Sequence, residues 1–255
     1  MTAALAERFG LDGRTALVTG ARGGIGRAAA VALAEAGANL VLWGHRDNLD
    51  EAASAVAACG RKARTVVADL ADPLAVRTAA DEVLADGPVD ILVNNAGIIR
   101  RGPALAVDDA AWRSVLQVNL DAVFLLCRLF GGPMCARGYG KIVNVASMLS
   151  FQGGLNVVSY TASKHAVVGL TKALATEWAA GGVNVNAVAP GYVATANTAA
   201  LRADVHREAE IRGRIPAGRW ADPSDVAGAI VFLASPAANY VHGHVLAVDG
   251  GWLAR

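Results

Sequence analysis

The chain has 255 residues, and its 23 basic residues almost balance its 22 acidic ones, giving a formal net charge of +1. The charges are mixed along the chain, so there is no basic stripe to favour nucleic acid and no polybasic segment to favour a membrane surface. Three cysteines without a CxxC pair predict reduced thiols and a cytoplasmic protein. The length suits one large core, so we expect a single domain over residues 1–255.

Two segments were weighed as targeting or membrane signals. Residues 1–13 carry Glu7, Arg8 and Asp12 and have no uninterrupted apolar core, so they are not typical of a secretory signal. Residues 226–248 are free of Asp, Glu, Lys and Arg, but Pro236 and several polar residues interrupt them. This pattern predicts a globular helix followed by a strand, with no membrane span. His242-Val-His244 has no carboxylate or cysteine neighbours, so we expect no metal site.

The first predicted strand, residues 14–19, leads into a glycine-rich turn and then an alanine-rich helical run. Glycines allow the backbone to approach a pyrophosphate closely, and the N–H groups that begin the helix bind its charge. The spacing Gly20-x3-Gly24-x-Gly26 departs from GxGxxG, so the turn predicts a dinucleotide site only together with its context.

The end of the second predicted strand, residues 39–43, bears on the choice of dinucleotide. An acidic residue there is typical of NAD binding, because it accepts hydrogen bonds from the adenosine ribose. Here His45 and Arg46 follow Gly44, and the first acid is Asp47. Arg46 or Arg22 could meet the 2′-phosphate of NADP, and both could equally be solvated. These residues leave NAD and NADP open.

Further strands are predicted at residues 63–68, 89–93, 140–146, 183–188 and 244–248, with helical runs between them. Asp72-Pro73 and Asp108 are typical helix starts, and Gly37 and Gly87 typical helix stops. Strands alternating with helices predict an α/β fold: one Rossmann-type, doubly wound, parallel seven-stranded sheet flanked by helices.

Polar and small residues follow several of these strands, at the edge where open α/β sheets bind ligands. Asp69 and Leu70 follow the third strand, Asn94-Asn95-Ala96-Gly97 the fourth, and Pro190-Gly191 the sixth. Asn119 lies inside a predicted helix, where asparagine is mildly unfavourable unless its polar groups have a use.

Ser147 ends the fifth predicted strand, thirteen residues before Tyr160, and Lys164 comes four residues after Tyr160. If residues 157–180 are helical, Tyr160 and Lys164 lie one turn apart on the same face. A nearby ammonium lowers the pKa of a tyrosine, which is near 10 in water. The pattern therefore predicts acid/base chemistry by Tyr160, tuned by Lys164.

Together these residues resemble the short-chain dehydrogenase/reductase family, from about residue 10 to the C-terminus. The resemblance rests on ordered motifs: Gly20-x3-Gly24-Ile25-Gly26, Asn94-Asn95-Ala96-Gly97, Asn119, Ser147, Tyr160-x3-Lys164 and Pro190-Gly191-x3-Thr195. It implies that Tyr160 is the general acid/base, that Ser147 binds the substrate oxygen, and that Lys164 binds the nicotinamide ribose. It also implies that Asn119 extends a proton relay through water.

The cofactor site that we expect combines the glycine turn with the strand ends. Its residues are Gly20, Arg22, Gly24, Ile25, Gly26, His45, Arg46, Asp69, Leu70, Asn95, Ala96, Gly97, Tyr160, Lys164, Pro190, Gly191, Val193 and Thr195. Gly23 stands where NADP-preferring relatives often have a basic residue, which weakens the case for NADP.

Within that family the second half of the chain is similar to the group that acts on 2-deoxy-D-gluconate or 2-dehydro-3-deoxy-D-gluconate. This implies oxidoreduction of a secondary alcohol on a small sugar acid, and it shifts the expected cofactor slightly towards NAD(H), with NADP(H) still open. Carboxylates suit bidentate arginine contacts. We expect the substrate site to contain Arg100, Arg101, Ser147, Gln152, Asn156 and Tyr160, with Arg202, Arg214 and Arg219 as further carboxylate candidates.

The segment at about 192–214, termed the lid, follows the cofactor-edge loop and is expected to cover the substrate. Apolar helix faces at 122–130 and 167–178, together with the resemblance, predict a homotetramer. Two alternatives remain open: a reductase of another carbonyl, such as a 3-oxoacyl thioester, and a dinucleotide-binding protein without turnover.

Overall fold

The structure is a computed structural model that describes residues 3–255. Seven strands form one sheet: β1 Thr15–Thr19, β2 Asn39–Gly44, β3 Ala63–Val67, β4 Ile91–Asn94, β5 Gly140–Val145, β6 Val183–Pro190 and β7 Val245–Val248. Their order is β3-β2-β1-β4-β5-β6-β7, and every neighbouring pair is parallel. The predicted doubly wound sheet is confirmed, with strand bounds within two residues of those expected.

Ten α-helices are described: α1 Ala3–Phe9, α2 Gly24–Glu35, α3 Asp50–Ala58, α4 Pro73–Asp86, α5 Asp109–Leu116, α6 Ala122–Arg137, α7 Val158–Trp178, α8 Ala199–Ala203, α9 Val205–Arg214 and α10 Pro223–Ala234. The predicted starts are confirmed, since Asp72 accepts from Leu74 N (2.9 Å) and Asp108 from Ala111 N (2.7 Å). The helix α1 was not predicted. Residues 226–248 form a helix and a strand, as expected.

The sheet separates two apolar clusters because successive side chains of a strand point to opposite faces. Ala16 and Val18 of β1 pack in a cluster with residues of α2 and α10. Leu17 packs on the other face with residues of α4, α6 and α7. The strand order reverses between β1 and β4, so a crevice opens there at the carboxyl ends of the strands.

A continuous helical stretch from Asp109 to Arg137 is long and apolar enough to cross a membrane, with a mean hydropathy of 1.4. However, 56% of its most apolar part is buried inside the protein. A core helix passes the same test, so this stretch is no indication of a membrane span.

The opposite, amino-terminal edge of the sheet contains a buried lysine that was not predicted. Lys141, the second residue of β5, is 1% exposed, and its Nζ donates to Asn184 Oδ1 (2.9 Å) and Asn239 Oδ1 (2.7 Å). Asn184 in turn donates to backbone carbonyls at Ala238, Asn239 and Val241. Burial, with a smaller effect of Arg14, lowers the pKa of Lys141 to about 8.

Candidate active site

The glycine turn between β1 and α2 has the shape of a phosphate cradle. α2 begins at Gly24, and its N-cap residue Gly23 offers no side-chain hydrogen bond to the first N–H groups. A Cβ on Gly20 would lie 2.9 Å from Asn95 Nδ2, and one on Gly26 would overlap Gly20 O. Free helix N–H groups behind a turn without side chains suit a pyrophosphate. The residues therefore fit the dinucleotide that the sequence implies.

At the end of β2 the structure places only neutral or basic side chains. His45 and Arg46 follow directly and are exposed, as is Arg22 in the glycine turn. No ion pair within 4.0 Å involves either arginine in the part of the chain that the structure describes, residues 3–255. Both guanidinium groups are thus available to an anionic ligand at the adenosine end of the crevice.

The loop after β4 is tied to the glycine turn. Asn95 Nδ2 donates to Thr19 O (2.9 Å), and Thr19 Oγ1 accepts from the N–H groups of Asn95 and Ala96 (3.0 Å each). The side chains that follow the two strands on either side of the crevice are therefore held in one hydrogen-bonded unit. Thr19, which is 1% exposed, is a positioning residue; it opens the glycine motif in the sequence, but no role was predicted for it.

Asn119 lies in a π-helical turn, Gln117–Asp121, that joins α5 to α6. Its Oδ1 accepts from Ile98 N (2.8 Å), and its Nδ2 donates to Ile98 O (2.9 Å) and Ser163 Oγ (3.2 Å). Single π turns are frequent at functional sites. Asparagine is unfavourable inside a helix unless its amide is hydrogen-bonded, and the two bonds to Ile98 satisfy this buried amide.

Ser147 follows β5 in extended conformation and is 8% exposed, and its Oγ accepts from Leu149 N (3.1 Å). The turn behind it is fastened to α7, because Ser150 Oγ donates to Lys164 O (2.7 Å). Ser150 is a second positioning residue that the sequence did not reveal, since nothing distinguishes it from an ordinary loop serine.

Tyr160 and Lys164 lie on the first turns of α7 and face the same space as Asn119 and Ser147. Lys164 is 4% exposed, and its Nζ lies 5.6 Å from the centre of the Tyr160 ring and donates to Val145 O (2.6 Å). A Cβ on Gly97 would lie 3.2 Å from Asn119 Oδ1 and 3.8 Å from Lys164 Nζ. All four predicted catalytic side chains therefore converge at the carboxyl edge of the sheet.

The expected electrostatic effect on Tyr160 is wrong in direction. The pKa of Tyr160 is raised above its usual value, chiefly by burial, while a hydrogen bond with Ser147 and the charge of Arg101 oppose the rise. Lys164 points its ammonium at Val145 O, and burial lowers its own pKa to about 8. Tyr160 is consequently a neutral phenol at neutral pH.

The loop after β6 covers the glycine turn. Thr195 Cγ2 would lie 3.1 Å from a Cβ on Gly24, so the chain passes directly over the start of α2. Gly191 is needed for close approach, because a Cβ there would lie 2.7 Å from Asp249 Cα. Val193 is buried. These positions border the crevice, as expected of residues at the nicotinamide end. At the other end Asp69 is exposed and Leu70 is buried.

Of the predicted substrate residues, Ser147 and Arg101 are the ones that act on Tyr160. Arg100 and Arg101 are both exposed, but only the charge of Arg101 affects the pKa of Tyr160. Arg101 Nη2 also donates to Asn197 O in the lid (3.2 Å). Asn156 has a positive φ of 61°, and its carbonyl accepts from Gly102 N (2.9 Å). Asn156 therefore ties the Arg101 loop to the turn before α7, where Gln152 is half-buried.

The three other candidate arginines are engaged elsewhere. Arg202 donates to Thr195 O (3.2 Å), and Arg214 lies over the Trp252 ring, 4.1 Å from its centre. Arg219 makes a two-pronged ion pair with Asp225, with N–O distances of 2.6 and 2.9 Å. Arg101 also bonds to a backbone carbonyl, but among these arginines it is the one whose charge acts on Tyr160, and on that ground the structure favours it.

Comparisons with known proteins match this chain over almost its whole length. A family model described as enoyl-(acyl carrier protein) reductase matches residues 20–253. A Bacillus subtilis (strain 168) protein named 2-dehydro-3-deoxy-D-gluconate 5-dehydrogenase is 52% identical over 251 residues, which cover 98% of this chain and 99% of that protein.

Solved structures agree with the fold over its whole length. A Beutenbergia cavernae protein assigned as an NAD(P)-dependent gluconate 5-dehydrogenase, with NADP bound at low occupancy, is 62% identical with a TM-score of 0.95, covering 97% of this chain and 100% of that one. A gluconate 5-dehydrogenase from Burkholderia cenocepacia J2315, in complex with NADP and tartrate, is 41% identical with a TM-score of 0.93 and covers 98% and 99%.

Proposed function

The chain belongs to the short-chain dehydrogenase/reductase family, and from that membership we propose that it is an NAD(P)-dependent dehydrogenase of small sugar acids. It interconverts a secondary alcohol and a ketone on 2-dehydro-3-deoxy-D-gluconate or 2-deoxy-D-gluconate. The convergence of Asn119, Ser147, Tyr160 and Lys164 beside Arg101 carries the proposal. The name of the Bacillus subtilis relative supports the substrate class.

The nicotinamide ring, when bound, supplies the hydride acceptor or donor. Ser147 and Tyr160 bind the substrate oxygen, and donors placed where charge develops are typically worth about two to three powers of ten in rate. In reduction the neutral Tyr160 phenol donates its proton to that oxygen as the carbonyl becomes a hydroxyl. In oxidation Tyr160 must first be ionised, which the charge of Arg101 and the hydrogen bond with Ser147 favour.

The proposal also concerns which dinucleotide, NAD(H) or NADP(H), the protein uses. The expected slight preference for NAD gains no support, since the Beutenbergia and Burkholderia structures both hold NADP. Arg22 and Arg46 are exposed at the adenosine end, where no acidic side chain ends β2 to repel a phosphate. We therefore propose that NADP(H) is used at least as well as NAD(H).

Arg101 is proposed to bind the substrate carboxylate. Its guanidinium acts on Tyr160 from the open side of the site, and a guanidinium matches a carboxylate bidentately. Its hydrogen bond to Asn197 O attaches the lid to the loop that carries Arg101. Gln152 and Asn156 are proposed to contact sugar hydroxyls.

Initial rates test the reaction and the cofactor together. Each sugar acid is assayed with NAD and with NADP, with Tyr160→Phe as the control. Turnover of one sugar acid that falls about a hundredfold or more in Tyr160→Phe supports the proposal. Dinucleotide binding without turnover of either acid contradicts it.

A matched pair of variants tests the carboxylate site. Arg101→Met is expected to raise the substrate KM about a hundredfold, because a charged hydrogen-bonded partner is lost. Arg100→Met, one residue away and equally exposed, is expected to change it less than about threefold. Equal effects of the two variants would contradict a specific role for Arg101.

A second candidate function is the reduction of an apolar carbonyl such as a 3-oxoacyl thioester. Three exposed apolar side chains between Ser147 and the start of α7 favour it: Phe151 (49% exposed), Leu155 (80%) and Val158 (38%). An acetoacetyl thioester in the same assay decides between the two. A non-catalytic binding protein is the third reading, and turnover of any ketone would exclude it.

Assembly and location remain proposals. A homotetramer would use the outer faces of α6 and α7, where Phe124 is 43% exposed, and light scattering of the purified protein tests it. A cytoplasmic location fits the three cysteines, which are all unpaired.

A further inference from the structure

An apolar cluster lies outside the two main clusters, between the lid and the C-terminus. Its buried members are Met148, Ile211, Ile215 and Trp252, and Tyr192 and Trp220 are among the partly buried residues that pack on it. Met148 is next to the catalytic Ser147, and Ile211 is on α9 of the lid. The cluster therefore joins the substrate site, the lid and the end of the chain.

Trp252 lies at the centre of this cluster and is 4% exposed. Its ring contacts the Tyr192 ring edge to face (5.0 Å between centres), and the Arg214 guanidinium lies 4.1 Å from its centre. Within residues 3–255 its Nε1 has no hydrogen-bond partner. The indole is thus held by its faces, through packing and a cation–π contact, and not by its N–H group.

The lid helix α9 has few other attachments. Ile211 is its one buried residue among those described, and its ion pairs Arg207–Glu210 and Arg212–Glu208 lie within the helix itself. Trp220, which packs on the same apolar cluster, donates its Nε1 hydrogen bond to Glu208 Oε1 of α9 (3.3 Å). A segment with so few buried apolar contacts opens locally at a low free-energy cost. Trp252 therefore contributes a large share of the contacts that pack α9 against the rest of the protein.

The C-terminal backbone around Trp252 is fixed by hydrogen bonds. The Asp249 carboxylate accepts from Gly251 N and Leu253 N at 2.9 Å each, and Ala217 N donates to Gly250 O (3.0 Å). The C-terminal residues are therefore fixed both to the end of β7 and to the chain that leaves the lid.

We infer that Trp252 is a positioning residue for the substrate, holding the lid over Ser147 and Tyr160 through Tyr192 and Arg214. The inference rests on the proposed function. It predicts an unusual kinetic effect: if only a fraction of the molecules has a closed lid, the apparent affinity for substrate falls by that fraction while the chemistry of the closed form is unchanged.

Trp252→Ala is expected to raise the substrate KM about tenfold, with kcat within about threefold and the dinucleotide Kd within about twofold of wild type. Trp252→Phe keeps an aromatic face and loses the unpartnered N–H together with part of the ring, so its KM stays within about threefold. The control is Trp178→Ala, because Trp178 packs on Gly131 of α6, away from the lid. This control is expected to lower Tm without changing KM.

Amide hydrogen exchange of residues 199–214 gives a readout that needs no substrate. Exchange there should be about tenfold faster in Trp252→Ala than in wild type and unchanged in Trp178→Ala. Unchanged exchange and unchanged KM in Trp252→Ala would overturn the inference. Should wild type turn over neither sugar acid, the proposed function fails, whereas exchange still decides whether Trp252 holds the lid. If Trp252→Ala does not fold, Arg214→Met is measured instead, with a smaller effect of the same sign expected.

Discussion

Two buried lysines lie near opposite ends of the same strand, and they differ in how fully they are hydrogen-bonded. Lys141 is the second residue of β5, and Lys164 donates to Val145 O at the other end of β5. They are 1% and 4% exposed, and burial lowers the pKa of each to about 8. Burial and pKa alone therefore do not distinguish them.

Their partners do. The Lys141 ammonium has two amide oxygens, at 2.9 and 2.7 Å, and these amides belong to a network that closes the amino edge of the sheet. For Lys164, Val145 O is the one acceptor found among the described residues, although an ammonium carries three donors. Its spare donors point towards the space beside Gly97 and Tyr160. A perturbed lysine indicates a functional site when donors remain free for a ligand.

Removing each ammonium is the strongest test of this comparison. Lys164→Met should lower kcat about a hundredfold, because the site loses the charge and donors beside Tyr160. Lys141→Met should leave kcat within about threefold, because Lys141 lies at the far edge of the sheet. Steady-state rates of the two purified variants decide it, and similar losses in both would break the distinction.

The second test concerns stability. Asn184→Ala should lower the free energy of unfolding by about 3 kcal/mol, because it removes a partner of a buried charge and two N–H donors that are shared among three backbone carbonyls. Asn186→Ala is the matched control: this equally buried amide bonds only to the backbone, at Val241 O and His244 N. Urea denaturation should show a loss for Asn186→Ala of about half that size. Equal losses in the two variants would mean that the hydrogen bond between Lys141 and Asn184 adds nothing to the free energy of unfolding.

The third test uses pH. Folded Lys141 loses its proton near pH 8, whereas the unfolded chain retains it up to a pKa of about 10.4. Between these values the unfolded state binds more protons, so Lys141 makes the free energy of unfolding rise with pH.

Lys141→Met removes this rise. From pH 8 to 10 the wild-type stability should therefore gain about 2 kcal/mol relative to the variant. Cys127, whose pKa burial raises to about 12, contributes equally to both proteins and cancels in the difference. Denaturation curves that stay parallel across this range would contradict the lowered pKa.

The smallest expected effect comes from crowding the free donors of Lys164. Gly97→Ala would place a methyl group 3.2 Å from Asn119 Oδ1 and 3.8 Å from Lys164 Nζ. We expect kcat to fall about threefold to tenfold with little change in Tm, because the shift needed is a few tenths of an ångström. Gly169→Ala, which adds a methyl group to open space on α7, serves as the control.

The sheet could be predicted because its signals are local. Apolar strands alternate with helices whose starts at Asp72 and Asp108 are marked by side chains that cap the next few residues. The short helix α1, of seven residues, was missed. The position of Ser147 was also predictable, because sheet topology brings the carboxyl ends of strands together, and helical spacing placed Tyr160 and Lys164 on one face of α7.

What could not be predicted depends on contacts between distant residues. Lys141 meets Asn184 and Asn239, which are 43 and 98 residues away in the chain. The choice of Arg101 required knowing which arginine has a charge that acts on Tyr160. The upward shift of the Tyr160 pKa required knowing that burial outweighs the nearby charges.

The π turn that carries Asn119 means that the number of residues, and not only their identity, encodes this site. A π turn contains one residue more than the α-helical turn that it replaces. Deleting a single residue between Gln117 and Asp121 would allow α5 and α6 to merge into one regular helix, in which the flanking turns keep their relative orientation but the backbone at residue 119 loses its π geometry. The amide would then leave Ile98 and Ser163, although each remaining letter of the motif is still present. In this fold a one-residue deletion can silence a site that looks intact when its motifs are read one by one.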